Sequence, residues 1–147
     1  YDSQLVLVVK KGSKYANATS LADFAGAKVT AQLNTFHYSV IDQITGVDKQ
    51  AAMDNFPAMR VALQAGTIDA YVSELPEAIS AQAANSDFVM VKLTDGFKTS
   101  PEDTQTAVGV KKDSTLTKQI NEALKTISSE ERQQIMQEAI KNQPAAE

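Results

Sequence analysis

Five short runs of strand-favouring residues punctuate the chain, at positions 4–9, 28–32, 68–72, 89–93 and 107–111, each rich in Val or Ile and bounded by polar residues, Gly or Pro. Between most of them the apolar positions recur at helical spacing instead. Ser20 with Asp23 reads as a capped turn running to Phe24 and ending at Gly26, and Tyr38, Ile41 and Ile44 fall on one face of a following helix. Pro57 suits the first turn of another helix, with Met59 and Leu63 four apart on its buried side and Gly66 just past its end; a further helix starts at Pro76. Short strands alternating with helices predict an α/β layer structure, a central and mostly parallel sheet flanked by helices.

From Leu116 the period becomes purely helical. Leu116, Ile120 and Leu124 recur every four residues, and Ser128 with Glu131 forms a capping-box pattern ahead of Ile135, Met136 and Ile140. Two amphipathic helices are therefore expected near the end, followed by a tail, residues 142–147 with Pro144, that has no apolar period and is expected to fray. The polar, Gly- and Pro-containing stretch 94–106 separates the α/β part from these helices and suggests a domain boundary there. The apolar faces of the two helices need a partner. The chain opens at Tyr1 directly before a strand pattern, without an initiator Met or signal peptide, as an excised or processed segment does.

With 147 residues, 43% of them hydrophobic, the chain is long enough to bury a real core. Its 14 Lys and Arg against 18 Asp and Glu give a formal net charge of -4, and the basic residues are scattered rather than striped, which argues against a nucleic-acid partner. No apolar run approaches the roughly 18 to 20 residues that span a bilayer. The absence of Cys excludes disulfides, thiol chemistry and Cys-based zinc sites.

Catalytic patterns are weak. His37 is the one His, no Ser or Cys near it forms a nucleophile motif, and Ser73 sits in Val-Ser-Glu rather than in a Gly-flanked elbow. His37 therefore reads first as a surface or helix N-terminal residue and only second as a ligand contact. Asp69 and Glu74, five apart at a strand end, have the spacing of an acid/base pair but are more simply turn carboxylates. Gly26, Gly46 and Gly66 stand alone, so no phosphate loop is present, and the acids lack calcium-loop spacing. No cofactor, no metal and no enzymatic activity is expected.

The informative stretch is the strand at 28–32 followed by Leu33, Asn34, Thr35 and Phe36 ahead of a helix. Such a turn at a strand's C-terminal end presents free backbone N–H groups and a Thr hydroxyl to an anion; the commoner role for Asn34 or Thr35 in such a place is simply the helix N-cap. The strand at 68–72 ends in Ser73, Glu74, Leu75 and Pro76. Ligands of open α/β sheets lie outside the carboxyl ends of the strands, so Thr35, Ser73 and Glu74 would converge on one crevice, Glu74 facing an ammonium group. The other reading of Glu74 is an exposed acid at a helix N-terminus.

The order of these pieces carries a resemblance. Residues 1–9, then Leu21-Ala22-Asp23-Phe24-Ala25-Gly26-Ala27-Lys28-Val29, Gln32-Leu33-Asn34-Thr35, Leu63-Gln64-Ala65-Gly66-Thr67-Ile68-Asp69-Ala70, Tyr71-Val72-Ser73-Glu74-Leu75-Pro76 and Val108-Gly109-Val110-Lys111-Lys112 together resemble the family 3 extracellular solute-binding proteins, the polar amino-acid receptors of ABC importers. The resemblance implies a periplasmic-binding-protein-like fold of type II: two α/β lobes, two hinge crossings, and an amino acid held in the cleft between the lobes. It assigns residues 1–9 to a hinge strand leaving lobe one, 10–104 to lobe two, and 105–147 to the return strand and C-terminal helices of lobe one, the remainder of that lobe being absent.

Carried over by position, the resemblance makes Thr35 a carboxylate contact, Gln32 a reader of the ligand side chain, and Glu74 the acid that binds the α-ammonium, with Ser73, Asn34 and Phe36 beside them. Asn34 stands where Gly is usual, Phe36 where a small or hydroxyl residue is usual, and Glu74 where Asp is commoner. The ligand class implied is a polar or cationic L-amino acid, arginine among them, and the partner a membrane permease. A Gram-positive lipoprotein is the implied setting, and the exposed C-terminal helices would favour dimerisation. A sensory domain of the same fold and a periplasmic dehydratase-like enzyme are the alternatives.

Overall fold

The computed structural model describes residues 1 and 3–143. Its centre is a five-stranded sheet built from β1 (Leu5–Lys10), β2 (Lys28–Thr30), β3 (Asp48–Lys49), β4 (Ala70–Glu74) and β5 (Phe88–Val91), in the order β3-β2-β4-β1-β5. β2 pairs in parallel with β3 and β4, whereas β1 pairs antiparallel with both β4 and β5. Four strands thus share one direction and β1 runs against them, so the sheet is mixed. The α/β lobe expected from the alternation of elements is present.

β1 is buried on both faces, with Val6, Leu7, Val8 and Val9 at most 2% exposed, as a near-continuous apolar run in a central strand requires. Its alternate residues feed two separate cores. Leu7 and Val9 join Tyr15, Phe24, Val29, Val40, Ile41, Val72 and Val91 on one face. Val6 and Val8 join Met59, Leu63, Tyr71, Ala78, Ala81 and Phe88 on the other, beneath α2 (Phe56–Ala65) and α3 (Leu75–Ala84).

Local signals act as expected in most places. Asn55 caps α2, its side chain accepting from the Ala58 amide at 2.9 Å, Pro57 occupies the first turn, and Gly66 ends the helix in the left-handed region at φ 76°. The turn at Leu21–Phe24 is a 3₁₀ turn held by Asp23, whose carboxylate accepts from the Thr19 and Ser20 amides at 2.8 and 2.9 Å. The helix expected through Tyr38, Ile41 and Ile44 is two pieces: α1 (Phe36–Val40) passes directly into a 3₁₀ turn at Ile41–Gln43, which turns both Ile41 and Ile44 into the core.

One expectation is corrected. Residues 107–111 form no strand; all five are exposed, and β-pattern residues without a neighbouring strand have no ladder to join. The 94–106 stretch is tied to the lobe, where Thr94 bonds Thr19, Asp95 accepts from Leu21, and Lys98 and Gln43 exchange two hydrogen bonds of 2.8 Å. It also contains α4 (Pro101–Thr104), four residues long. α5 (Leu116–Lys125) and α6 (Ser129–Lys141) form as expected, with Ser128 capping α6 by accepting from the Glu131 amide at 3.1 Å. α6 leans on α3, where Gln143 accepts from Ser80 at 3.0 Å, yet Leu116, Leu124 and Ile135 remain 52%, 37% and 53% exposed. Of the tail expected to fray, residues 144–147 lie outside the described residues.

Leu7→Ala, at a fully buried position of the central strand, is expected to cost about 3 kcal/mol, within the roughly 2 to 5 kcal/mol of such deletions. Val61→Ala, on the 70% exposed side of α2, is expected to stay within about 0.5 kcal/mol. Urea-denaturation midpoints of the two variants check the contrast.

Candidate functional site

Because β2 and β4 are parallel neighbours, their C-terminal ends open on the same edge of the sheet. The Gln32–Thr35 turn leaves one and Glu74 closes the other. Gln32 pairs with Met53 in an isolated parallel bridge, and its side-chain amide donates to the Asp54 carbonyl at 3.2 Å. Asn34 adopts φ 60°, a left-handed conformation that Gly takes freely and that Asn tolerates best among the other residues. The Thr35 hydroxyl donates to the Gln32 carbonyl at 2.7 Å and makes no cap bond, so it closes the turn while its backbone occupies the N-cap position of α1. Leu33 and Asn34 are exposed at the tip; Phe36 is half-buried against the first core.

His37 joins the two strand ends. It is 6% exposed, and its Nε2 lies 3.2 Å from Glu74 Oε1. The Phe36 ring packs beside the imidazole with centroids 4.4 Å apart and planes tilted by 57°. Nδ1 is buried and has no hydrogen-bond partner among the described residues. The Glu74 side chain keeps 37% of its surface open, so the carboxylate is anchored on one side and accessible on the other. The His37 hydrogen bond pulls the Glu74 carboxyl below the ordinary range; partial burial opposes this, and the neighbouring Ser3 hydroxyl, outside ordinary hydrogen-bond geometry, adds a smaller lowering. Tyr1 stands nearby, its phenol raised by burial first and by the Glu74 charge second.

Ser73 lies elsewhere. Alternation along β4 turns Glu74 toward α1 and Ser73 toward α2 and α3. There Ser73 is fully buried and donates to Glu77 Oε2 at 2.5 Å, while Arg60 grips Glu77 Oε1 through Nη2 at 2.6 Å and Nε at 3.0 Å. The Tyr71 hydroxyl reaches the same carboxylate at 3.5 Å, and burial followed by the Glu77 charge pushes its phenol up. Thr35, Gln32, Asn34, Phe36 and Glu74 therefore gather at one edge, and Ser73 belongs to an ion-pair network on the opposite face. His37, read first as a surface or N-terminal residue, is a buried partner of Glu74; its place two residues after Thr35, on the inward side of α1, was the available signal.

Where the segment 1–3 comes in, the chain also goes out. The Ser3 amide donates to the Thr104 carbonyl and the Thr106 amide to the Tyr1 carbonyl, both at 2.9 Å, so two strands of chain cross side by side next to the polar edge. Polar groups gathered outside the strand ends of such a sheet stand where open α/β folds place their ligands.

Solved structures with this architecture are found, while no family profile and no curated protein matches the chain. An amino acid ABC transporter substrate-binding protein, AbpA from Streptococcus pneumoniae, solved with L-arginine bound, is 25% identical with a TM-score of 0.74, over 96% of this chain and 58% of that one. A variant of ArgBP from T. maritima is 25% identical with a TM-score of 0.71, over 97% of this chain and 59% of that one. Domain 2 of the T. maritima protein alone is 26% identical with a TM-score of 0.54, and covers 61% of this chain and 98% of itself. The chain has the fold of the amino-acid ABC transporter substrate-binding proteins and spans somewhat under three fifths of the length of these full-size relatives.

Two variants separate the faces of β4. Glu74→Gln removes a carboxylate whose folded value is depressed, so its stabilising contribution is present above the ordinary glutamate range of about 4 to 4.5 and disappears as pH falls through the lowered folded value. The variant is expected to unfold at lower urea than the parent at pH 7, and the gap is expected to narrow as pH falls below the ordinary glutamate range. Ser73→Ala, which strips a bond to a buried charge, is expected to cost about 1.5 to 3 kcal/mol while leaving ligand affinity unchanged, as paired denaturation and binding titrations will show.

Proposed function

We propose that the chain is the ligand-gripping lobe, with adjoining parts of the other lobe, of an amino-acid-binding protein that serves an ABC importer. The observation that carries this reading is the accessible Glu74 carboxylate fixed at the same sheet edge as the Thr35 turn, in a fold otherwise found around L-arginine. A zwitterion brings an ammonium group for Glu74 and a carboxylate for the amides of the Asn34–Thr35–Phe36 turn, and Gln32 with Leu33 stands where the ligand side chain would be read. α1 has only five residues, so those amides act as local donors with little help from a helix dipole.

The division into residues 1–9, 10–104 and 105–147 belongs to the same proposal. Domain 2 of the T. maritima protein matches 61% of the chain, close to the share that 10–104 represents, and the side-by-side crossing of residues 1–3 and 104–106 has the form of a two-strand hinge. The exposed Leu116, Leu124 and Ile135 of α5 and α6 then face the remainder of lobe one, or a second copy of the chain when that remainder is not present. Closure would follow from population shift, since a ligand touched by both lobes favours the closed form that makes both sets of contacts. A membrane permease as the reader of closure and an extracytoplasmic, lipid-anchored setting are the finer expectations of this reading. No helix among the described residues is long and apolar enough to cross a membrane.

The test is a calorimetric titration of the intact protein with each common L-amino acid. Binding of one polar or cationic amino acid, at micromolar Kd or tighter and lost in Glu74→Ala, is the expected result; silence with all of them would move the assignment to a sensory or enzymatic role on the same fold.

A further inference from the structure

Two polar side chains of the site spend their hydrogen bonds inside the protein. The Thr35 hydroxyl is engaged by Gln32, and the Gln32 amide by Asp54. Glu74 alone combines a fixed orientation with open surface, and what fixes it is His37. We propose that His37 is the positioning residue of the ammonium subsite: its Nε2–H holds the Glu74 carboxylate toward the open edge, and its own protonation competes with the ligand ammonium for that carboxylate. This rests on the amino-acid-binding reading above.

A neutral imidazole has one donor and one acceptor, and a carboxylate only accepts, so contact at 3.2 Å places the proton on Nε2 and leaves Nδ1 bare. Nδ1 is buried and has no hydrogen-bond partner among the described residues, which suits a lone pair better than a second N–H. In this neutral state Glu74 keeps its full negative charge for the ligand while one oxygen is anchored. When Nδ1 takes a proton, the imidazolium and Glu74 become a salt bridge, and the carboxylate is neutralised from the protein side before an ammonium group reaches it. The ligand and the proton thus oppose each other by linkage: acid loosens the ligand, and the ligand resists protonation. Histidine side chains as a class change charge between about pH 5 and 8.

The ionisable surroundings are sparse. Tyr1, from the N-terminal segment, faces Glu74, and burial together with the Glu74 charge keeps its phenol protonated through this range. Among the described residues, no other titratable side chain forms a hydrogen bond or ion pair with His37 or Glu74. Glu77 and Arg60 sit on the far face of the sheet, paired with each other.

Two measurements on the intact protein test this. First, ¹⁵N imidazole shifts at pH 7.5, assigned to His37 by their loss in His37→Gln, report its tautomer. Protonation at Nε2 is expected; an Nδ1–H tautomer with bare Nε2 overturns the proposal. Second, calorimetric titration with L-arginine from pH 8 to 5.5 should show affinity falling about tenfold in the parent. His37→Gln, which keeps a donor but cannot titrate, should bind within about threefold of the parent at pH 7.5 and lose the pH dependence. His37→Leu, which can do neither, should bind about tenfold more weakly at pH 7.5. Absence of heat with L-arginine and every other common L-amino acid removes the receptor reading and this proposal together. Binding that is independent of pH in the parent, or parent-like in His37→Leu, overturns the proposal and leaves the receptor reading standing.

Discussion

The insertion of β1 between β4 and β5 is the constraint on which the lobe depends. Five consecutive residues of β1 pair with β4, from Leu5 opposite Glu74 to Val9 opposite Ala70, and four pair with β5. Without β1 the sheet would be two pieces with no hydrogen bonds between them. The strand that closes the lobe is also its first, so β4 and β5, more than sixty residues downstream, find their ladder only when the chain returns on itself. The direction of β1, opposite to its neighbours, follows from this placement. It also sets the beginning of β1 against the end of β4, which is why the segment leading into the lobe passes beside Glu74.

That junction organises the chemistry through the two-residue period of β4. Ala70, Val72 and Glu74 point to one face and Tyr71 and Ser73 to the other, so adjacent polar residues serve different ends. Ser73, Tyr71, Glu77 and Arg60 form a closed network in which the Glu77 carboxylate is met by a guanidinium and two hydroxyls. A partly buried charge so fully satisfied is a structural joint between α2, α3 and the sheet. Glu74 meets a single buried imidazole and keeps an open side, which makes it available to something else. The contrast between the two glutamates, three residues apart, is a difference in satisfaction rather than in charge.

Much of this was legible in the sequence, and what was missed has identifiable causes. The runs at 4–9 and 28–32, the Pro57 and Gly66 helix boundaries and the Ser128 cap carry strong local signals, and each corresponds to an element. The strand expected at 68–72 begins two residues later, because Gly66, Thr67 and Asp69 are held in the turn, with Asp69 accepting from the Lys28 amide at 2.9 Å. The pairing direction of β1 and the short β3 depend on distant partners that periodicity does not report. Ser73 was placed with Glu74 because sequence adjacency suggests shared location, while the pleat separates them. His37 was set aside as a lone histidine for the same kind of reason, since its partner is 37 positions away and becomes visible only when β2 and β4 lie side by side.

The departures from the pattern that the sequence resemblance implies at this edge make sense together. Asn34 occupies a left-handed position that Gly would fill, and it is among the few other residues that take φ 60° at small cost. A glutamate where an aspartate is commoner carries its carboxylate about 1.5 Å farther from the strand, the length of one carbon–carbon bond. With Oε1 at 3.2 Å from Nε2, withdrawing the carboxylate by that amount leaves the imidazole without a hydrogen bond unless the backbone moves. The longer acid and the buried histidine are therefore one arrangement: the extra methylene brings the carboxylate to His37, and His37 restricts the freedom that the methylene adds. A longer, more mobile acid would by itself grip an ammonium group less well, since more rotamer entropy is lost on binding. Anchoring one oxygen on the imidazole removes much of that freedom, so the carboxylate is held in one orientation at the open edge.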